Sequence, residues 1–456
     1  MDLLFPSGYS GPKCLWGSPG TDEIFPNSST NEDWGTSRLS PSFRLLQFSS
    51  PVFQRPSRRR LGRSESWPAL MYESGPRTML DSRPMSWQKR IDLYQKIEKH
   101  RKRPLIVYVT SKRNGAWANM STDALPQIIE QLDALPTDSK ALDFLIASYG
   151  GDPMVAWRIM TLVRQRVDKV SVMIPQSAYS AATLLALGAD EIVMHPNGHL
   201  GPVDMQITMG GGGGQPKTFS TEDISAFLDF VRDNLKITDQ EHVRALFEIT
   251  CKEVGSLGIG LTARSSKLAI DLGERLLALH MKDDDVGTKL RSIVQNMSRK
   301  FQSHAYPVNR KEALEIGLPV KKERDAELEK LMWDVWLNIE YDLKERFPFD
   351  AVIELLNSSE ANKLLAPVPQ LVIPPNVTSR AHYNTSINDV MQHATETVNP
   401  VDFEYTNALV ESSRTGSKNV TKGKLLACRT PDLMIKYNRV VVSQEWEAEQ
   451  GEKEEK

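Results

Sequence analysis

The sequence predicts an α/β domain built around a parallel sheet. Three observations carry this. Short β-branched runs recur between residues 104 and 195. Helix-like stretches separate them. Two of the strand-to-helix junctions, at 147–153 and around Ser180, are rich in Gly, Ala or Ser. Alternation at this spacing implies right-handed crossovers, with the strand ends gathered on one sheet edge.

Taken in order, "PLIVYVTS" (104–111) is a buried strand by run length and branching. "DALPQIIEQLDAL" (123–135) is a helix, and Pro126 must fall in its first turn. "ALDFLIAS" (141–148) is the second strand. "DPMVAWRIMTLVRQR" (152–166) is a helix whose Val155, Ile159, Leu162 and Val163 share one stripe. "VSVMIP" (170–175) is the third strand, "SAATLLALGA" a helix, and "EIVMH" (191–195) the fourth strand.

Beyond residue 220 the pattern turns helical. Residues 221–235, 239–253 and 285–303 read as helices, and "NRKEALEIG" (309–317) ends on a glycine stop. The long amphipathic stretch 323–347 is suited to packing on a partner subunit. Past residue 350 the pattern weakens. "PVPQLVIPPNV" reads as extended linker, "KGKLLACRT" and "LMIKYNRVVVSQEWE" as a hairpin or small sheet, and "EAEQGEKEEK" as a charged tail. At the other end, residues 1–84 are rich in Ser, Pro, Gly and Arg and read as a disordered extension. Met85 opens a natural helical lead-in, so a translation start there is a second expectation, which an intact mass would decide. The expected organisation is thus an extension (1–84), a main domain (85–347) and a C-terminal extension (348–456).

Bulk properties narrow the function. The 456 residues carry a net charge of -2, which gives no case for a nucleic-acid partner. Cys14, Cys251 and Cys428 make neither a metal spacing nor a disulfide framework, so a reducing, cytoplasmic setting is expected. No metal or cofactor is expected. There is no apolar run of transmembrane length.

Four stretches could carry chemistry. "ASYGGDP" (147–153) ends a strand, exposes backbone N–H groups at Gly150 and Gly151, and opens a helix with Asp152-Pro153. Those N–H groups could hold an oxyanion, or the glycines could simply permit a tight turn. Ser180 starts the next helix among alanines, where its own N–H or that of Ala181 could stabilise negative charge. The plain alternative is a serine N-cap. "HPNGHLGPVDMQI" (195–207) brings His195, His199 and Asp204 to the same edge as possible partners for Ser180, or as incidental turn residues. "MGGGGGQPKTF" (209–219) is a glycine loop without a phosphate-binding pattern, and it carries Lys217. A lysine serves as a base when burial lowers its pKa; a solvated loop lysine is the plain reading.

Together "SYGGDPMVAWRIM", "IPQSAYSAATLLALGADEIVMHPNGHLGPVDMQI" and "SHAYPVNRKEALEIGLPV" resemble the serine dehydrogenase proteinase family. That family belongs to the Clp-peptidase/crotonase superfamily and is related to signal peptide peptidase A. The resemblance spans roughly residues 88–320. It implies a spiral of β-β-α units with helical additions, and an ATP-independent serine peptidase acting on peptides or unfolded proteins as a homo-oligomer. Ser180 matches the nucleophile, Gly150 and Gly151 the oxyanion turn, and Ala181 the second donor. Clp-type enzymes place a histidine where Val203 or Asp204 falls here, so a Ser–Lys dyad with Lys217 is expected over a triad; His199, His304 and Asp204 are alternative bases. "SYGG" stands where the family has "TPGG", and Ala182 where it has glycine. Two other functions stay open: a catalytically inactive interaction protein of this fold, and a crotonase-type enzyme on acyl-coenzyme A thioesters.

Overall fold

A computed structural model describes residues 87–203, 206–209, 217–281, 286–299, 301, 303–357, 384, 400–429 and 435–449. The extension 1–84 and the segment "PVPQLVIPPNV" lie outside these described residues.

The predicted alternation is present. Helix α1 (Trp87–Arg101) leads into β1 (Leu105–Thr110), followed by α2 (Leu125–Asp133), β2 (Ala141–Ala147), α3 (Pro153–Arg166) and β3 (Lys169–Ile174). The short β4 (Ser177–Ala178) then precedes α4 (Ala181–Leu187) and β5 (Glu191–Met194). Strands β1, β2, β3 and β5 pair in parallel, with Ile106 beside Phe144, Phe144 beside Val172, and Val172 beside Ile192. Continuous branched runs suit these strands because both faces are covered.

Alternation along the strands divides the core in two. Ile106, Tyr108, Phe144, Ile146, Val172 and Ile174 face one layer, where α2, α3 and α4 pack. Leu105, Val107, Val109, Leu145, Ala147 and Met173 face the other. That second layer is α1 together with α10 (Ala326–Asp342).

The stretch read as suited to a partner subunit is this α10. Its apolar stripe, Leu328, Met332, Val335, Trp336 and Ile339, is buried against α1 and the sheet of its own chain. The stripe therefore supplies half of the second layer and is not left for a partner.

Between α4 and α10 lie β6 (His199–Leu200), a hairpin of β7 (Gln206–Met209) and β8 (Lys217–Ser220), α5 (Thr221–Asp229), α6 (Gln240–Val254), α7 (Ser256–Leu277), α8 (Val286–Arg299) and α9 (Arg310–Ile316). Asn309 and Glu312 close a capping box on α9, and Gly317 ends it at φ 98°, as the glycine stop predicted.

After α11 (Ala351–Asn357) come β9 (Val401–Glu411), β10 (Gly416–Arg429) and β11 (Ile435–Ala448). The expected hairpin is there, but it is not free-standing. β9 pairs antiparallel with β1, and the whole sheet runs β11-β10-β9-β1-β2-β3-β5.

Candidate active site

The carboxyl ends of β1, β2 and β3 lie on one sheet edge, as parallel pairing requires. Two junctions meet there. From β2 the chain continues through Ser148, Tyr149, Gly150 and Gly151 into α3. Asp152 caps that helix by accepting from the Met154 N–H at 2.8 Å, and Pro153 opens it, as read from the sequence. From β4 the chain continues through Tyr179 and Ser180 into α4.

Ser180 sits at φ 50° and ψ -116°, a conformation a residue with a Cβ rarely adopts. Its position is that of an N-cap, yet its side chain makes no capping hydrogen bond. The side-chain bond that the plain N-cap reading implies is thus missing, while the Ser180 carbonyl accepts the Leu184 N–H at 3.0 Å. Strain of this kind persists only where neighbours over-determine it. Here the Ser148 N–H donates to the Ser177 carbonyl at 2.9 Å, and the Tyr179 N–H to the Ser148 carbonyl at 3.0 Å. The Thr183 hydroxyl donates to the Ala178 carbonyl at 2.7 Å, and the Gly201 N–H to the same carbonyl at 2.8 Å.

Gly150 is pressed against this elbow. A Cβ there would stand 2.6 Å from the Tyr179 carbonyl oxygen, 2.8 Å from the Ser180 Cβ and 2.9 Å from the Ala181 nitrogen, and φ is 94°. The glycine is needed for close approach and for backbone conformation. Its N–H is already committed, donating to Ser148 Oγ at 3.0 Å. Gly151 differs. The flanking groups bond to Met120, with the Met120 N–H donating to the Gly150 carbonyl at 2.7 Å and the Asp152 N–H to the Met120 carbonyl at 2.9 Å. Among the described residues the Gly151 N–H has no acceptor. Ala181 is the first residue of α4, so its N–H has no acceptor one turn back. Of the predicted donors, Gly151 and Ala181 are thus available, while Gly150 shapes the turn.

We expect Gly150→Ala to disable the site while sparing most of the fold. The added methyl must displace Tyr179, Ser180 or Ala181 backbone, at a cost of ~1–3 kcal/mol for strain of this kind. Activity should fall at least about a hundredfold, because misplacement near 1 Å is enough for that. A near wild-type rate would show that the elbow tolerates movement.

A cavity of about 600 Å³ opens over Ser180. Gly151, Tyr149, Tyr179 and Leu184 form its near wall, and Thr208 and Thr218 of the β7–β8 hairpin line it as well. Those two hydroxyls are 2.7 Å apart and tie the hairpin strands together.

The candidate bases separate clearly. His304 lines the cavity. Lys217 opens β8 opposite Met209 and immediately precedes Thr218, although its side chain lies outside the described atoms. Asp204 lies outside the described residues. His199 does not line the cavity; its ring packs edge-on to Tyr179, 5.4 Å between centroids, and burial holds its pKa below the usual value. His195 is stacked on Trp333 at 4.8 Å, and its Nδ1 accepts the Asn197 N–H at 3.0 Å.

A lysine that the motifs did not single out stands behind the site. Lys112 follows β1 at the same edge. Its ammonium donates to Gln176 Oε1 and to Ser177 Oγ at 3.2 Å, lies 4.1 Å from the Trp336 ring centre and 5.5 Å from that of Tyr149. Burial lowers its pKa to about 8, against the pull of Glu345 and Glu340. It connects the segment entering the elbow with the residue before the glycine pair. Its place at a strand end was the available signal; its partners come from distant sequence.

Parallel strands, a glycine turn and a strained serine elbow at one edge define a ClpP-like α/β architecture. Residues 83–214 match the family described as ClpP-like SDH-type serine proteinase, the kinship that the sequence motifs suggested. Two curated relatives are similar to part of the chain, both uncharacterized proteins of Methanocaldococcus jannaschii. MJ0137 is 27% identical over 206 residues, 45% of this chain and 62% of that protein. MJ1495 is 27% identical over 194 residues, 42% of this chain and 56% of that protein. The chain thus spans less than two thirds of either relative's length. Among solved structures, a mutant of the membrane-bound stomatin-specific protease 1510-N overlaps 50% of this chain and 84% of its own, with 16% identity and a TM-score of 0.30. No helix among the described residues is long and apolar enough to cross a membrane.

Proposed function

We propose that this protein is a serine-type peptidase in which Ser180 is the nucleophile. The observation that carries the reading is the elbow itself: a serine at φ 50°, its hydroxyl making no capping bond, facing a cavity beside two available N–H groups. Ser180 Oγ attacks the scissile carbonyl and its proton passes to a base. The Gly151 and Ala181 N–H groups receive the developing oxyanion. The base then protonates the leaving amine, and water, activated in turn, releases the acyl group. Extended peptides or unfolded segments suit a cavity lined by apolar and hydroxyl side chains.

Lys217 is the proposed base. The hairpin that carries it also places Thr218 on the cavity wall, so the backbone is within reach of the site. His304 supports a second reading, because it lines the same cavity. No cofactor takes part in this chemistry.

A fluorophosphonate probe tests the scheme. It is expected to label the wild type at Ser180, Lys217→Ala at least about a hundredfold more slowly, and His304→Ala at nearly the wild-type rate. The opposite order assigns the base to His304. Labelling that survives Ser180→Ala overturns the nucleophile.

A further inference from the structure

The peptidase scheme gives Lys112 no part, yet this lysine touches both arms of the site. It does not line the cavity, and its ammonium is committed as a donor, so it is not a second base. Two routes lead from it to Ser180. The polar route runs through β4. Lys112 Nζ donates to Gln176 Oε1 and to Ser177 Oγ at 3.2 Å, and the Ser177 carbonyl accepts the Ser148 N–H at 2.9 Å. The aromatic route runs through Tyr149, whose ring centre lies 5.5 Å from the ammonium and 5.4 Å, edge-on, from that of Tyr179. Tyr149 precedes Gly150, and Tyr179 precedes Ser180. Trp336 of α10 backs the ammonium, its ring centre 4.1 Å away.

Both routes need the cation. A neutral amine would still donate, but it would lose the attraction to the two rings and the charge that strengthens its hydrogen bonds. Keeping the cation there opposes the fold, since burial lowers its pKa from 10.5 to about 8. The unfolded chain holds this proton more tightly. The cost to native stability is therefore present in full below pH 8, and stability rises as pH climbs from 8 to 10.5. An apolar side chain of the same length would fill the space without that cost.

Other charged groups face Lys112 as well. Glu345 Oε1 accepts the Lys112 N–H at 2.8 Å, and Glu340 of α10 is paired with Arg346 at 2.7 Å. Burial raises the Glu345 pKa. It also holds the pKa of His199 on β6 below its usual value and that of Tyr149 above its own. A comparison with Lys112→Met cancels what these groups contribute.

We propose that Lys112, as the ammonium, is a positioning residue of the serine elbow: it ties β4 to Tyr149 and so fixes Ser180 against the glycine turn. Its effect on rate rests on Ser180 as the nucleophile; its effect on the elbow does not.

Fluorophosphonate labelling of Ser180 from pH 6.5 to 9.5, with hydrogen exchange of residues 148–151 and 177–181 at pH 7, tests this on full-length wild type, Lys112→Met and Lys112→Arg. At pH 7, Lys112→Met is expected to label at least about tenfold more slowly than the wild type, and to exchange its Ser148 and Tyr179 amides faster. The ratio of the two rates should shrink as pH rises through about 8, where the wild type loses the cation by itself. Lys112→Arg stays cationic throughout, so it should recover part of the rate and keep its advantage over Lys112→Met at the alkaline end. A role in packing alone would lower the rate by a factor that pH does not change. A constant ratio of labelling at Ser180 therefore overturns the proposal, and so does unchanged exchange. Faster exchange in Lys112→Met, with labelling that Ser180→Ala leaves intact, upholds the positioning role and removes the nucleophile instead. If Lys112→Met fails to fold, the ratio of wild type to Lys112→Arg decides over the same range: it must fall above pH 8.

Discussion

Ser180→Ala is expected to lower kcat on a peptide substrate by at least about a thousandfold while leaving KM and stability almost unchanged; residual turnover would come from the oxyanion donors and binding. The two halves of this result have separate causes. The hydroxyl is the proposed nucleophile, so its removal ends covalent catalysis. It makes no capping bond, so α4 loses nothing. A serine acting as an N-cap would give the reverse pattern, a loss of about 1 kcal/mol in stability with activity retained. Denaturant titration and steady-state kinetics on one preparation separate these outcomes. The variant also discriminates between reactions. A crotonase-type enzyme needs the oxyanion donors but not the hydroxyl, so Ser180→Ala would keep turning over acyl-coenzyme A thioesters. Turnover of those esters by both proteins would sink the peptidase reading.

The parallel half of the sheet was legible because its strands are buried on both faces. Such strands must be short continuous runs of branched residues, and "LIVYVT" and "KVSVMI" can be little else. The elbow was legible as a cluster of small residues at a strand end. What the sequence did not convey was the use of each backbone group. Only the fold shows that Ser148 Oγ takes the Gly150 N–H and that Met120 fixes the backbone on either side of Gly151. β9 escaped notice for a related reason. Its sequence, "VDFEYTNALVE", buries Asn407 and Glu411, which a strand pattern counts as exposed. The Asn407 amide donates to Asn419 Oδ1 at 2.9 Å and Thr421 Oγ1 at 2.7 Å, both on β10. Those partners lie too far along the chain for any local pattern to announce. The same holds for Lys112, whose contacts come from Gln176, Ser177 and Trp336.

The second large effect is expected far from the cavity, at Arg90. This guanidinium is fully buried. Its Nε donates to Glu411 Oε2 at 2.8 Å, and its Nη1 donates to Asp342 Oδ2 at 2.8 Å and Asn338 Oδ1 at 3.2 Å. Glu411 is also fully buried and accepts from the Tyr94 hydroxyl. Arg90→Met strands the Glu411 carboxylate without its counter-charge, and breaking a buried pair in this way costs ~3–5 kcal/mol. Replacing both, as Arg90→Met with Glu411→Leu, removes the stranded Glu411 charge; the Asp342 carboxylate, which also loses Arg90, is 32% exposed and keeps contact with water. The double variant should recover most of the loss, since an apolar substitute for a buried pair is often neutral. Denaturant midpoints of the three proteins measure this; a single variant that loses less than about 1 kcal/mol would show that water reaches the pair. The ion pair also bears on the site. It holds α1 to the end of β9, and β9 is zipped to β1. Just past β1 the Ser111 N–H donates to the Asn407 carbonyl of β9 at 2.6 Å, and the same segment continues to Met120, which fixes the glycine turn. Loosening β9 therefore frees the strand that positions Gly151. Arg90→Met should lose activity at a lower temperature than it loses helix content, and restoring the pair with Arg90→Lys should only partly correct this, because an ammonium cannot reproduce the guanidinium fork.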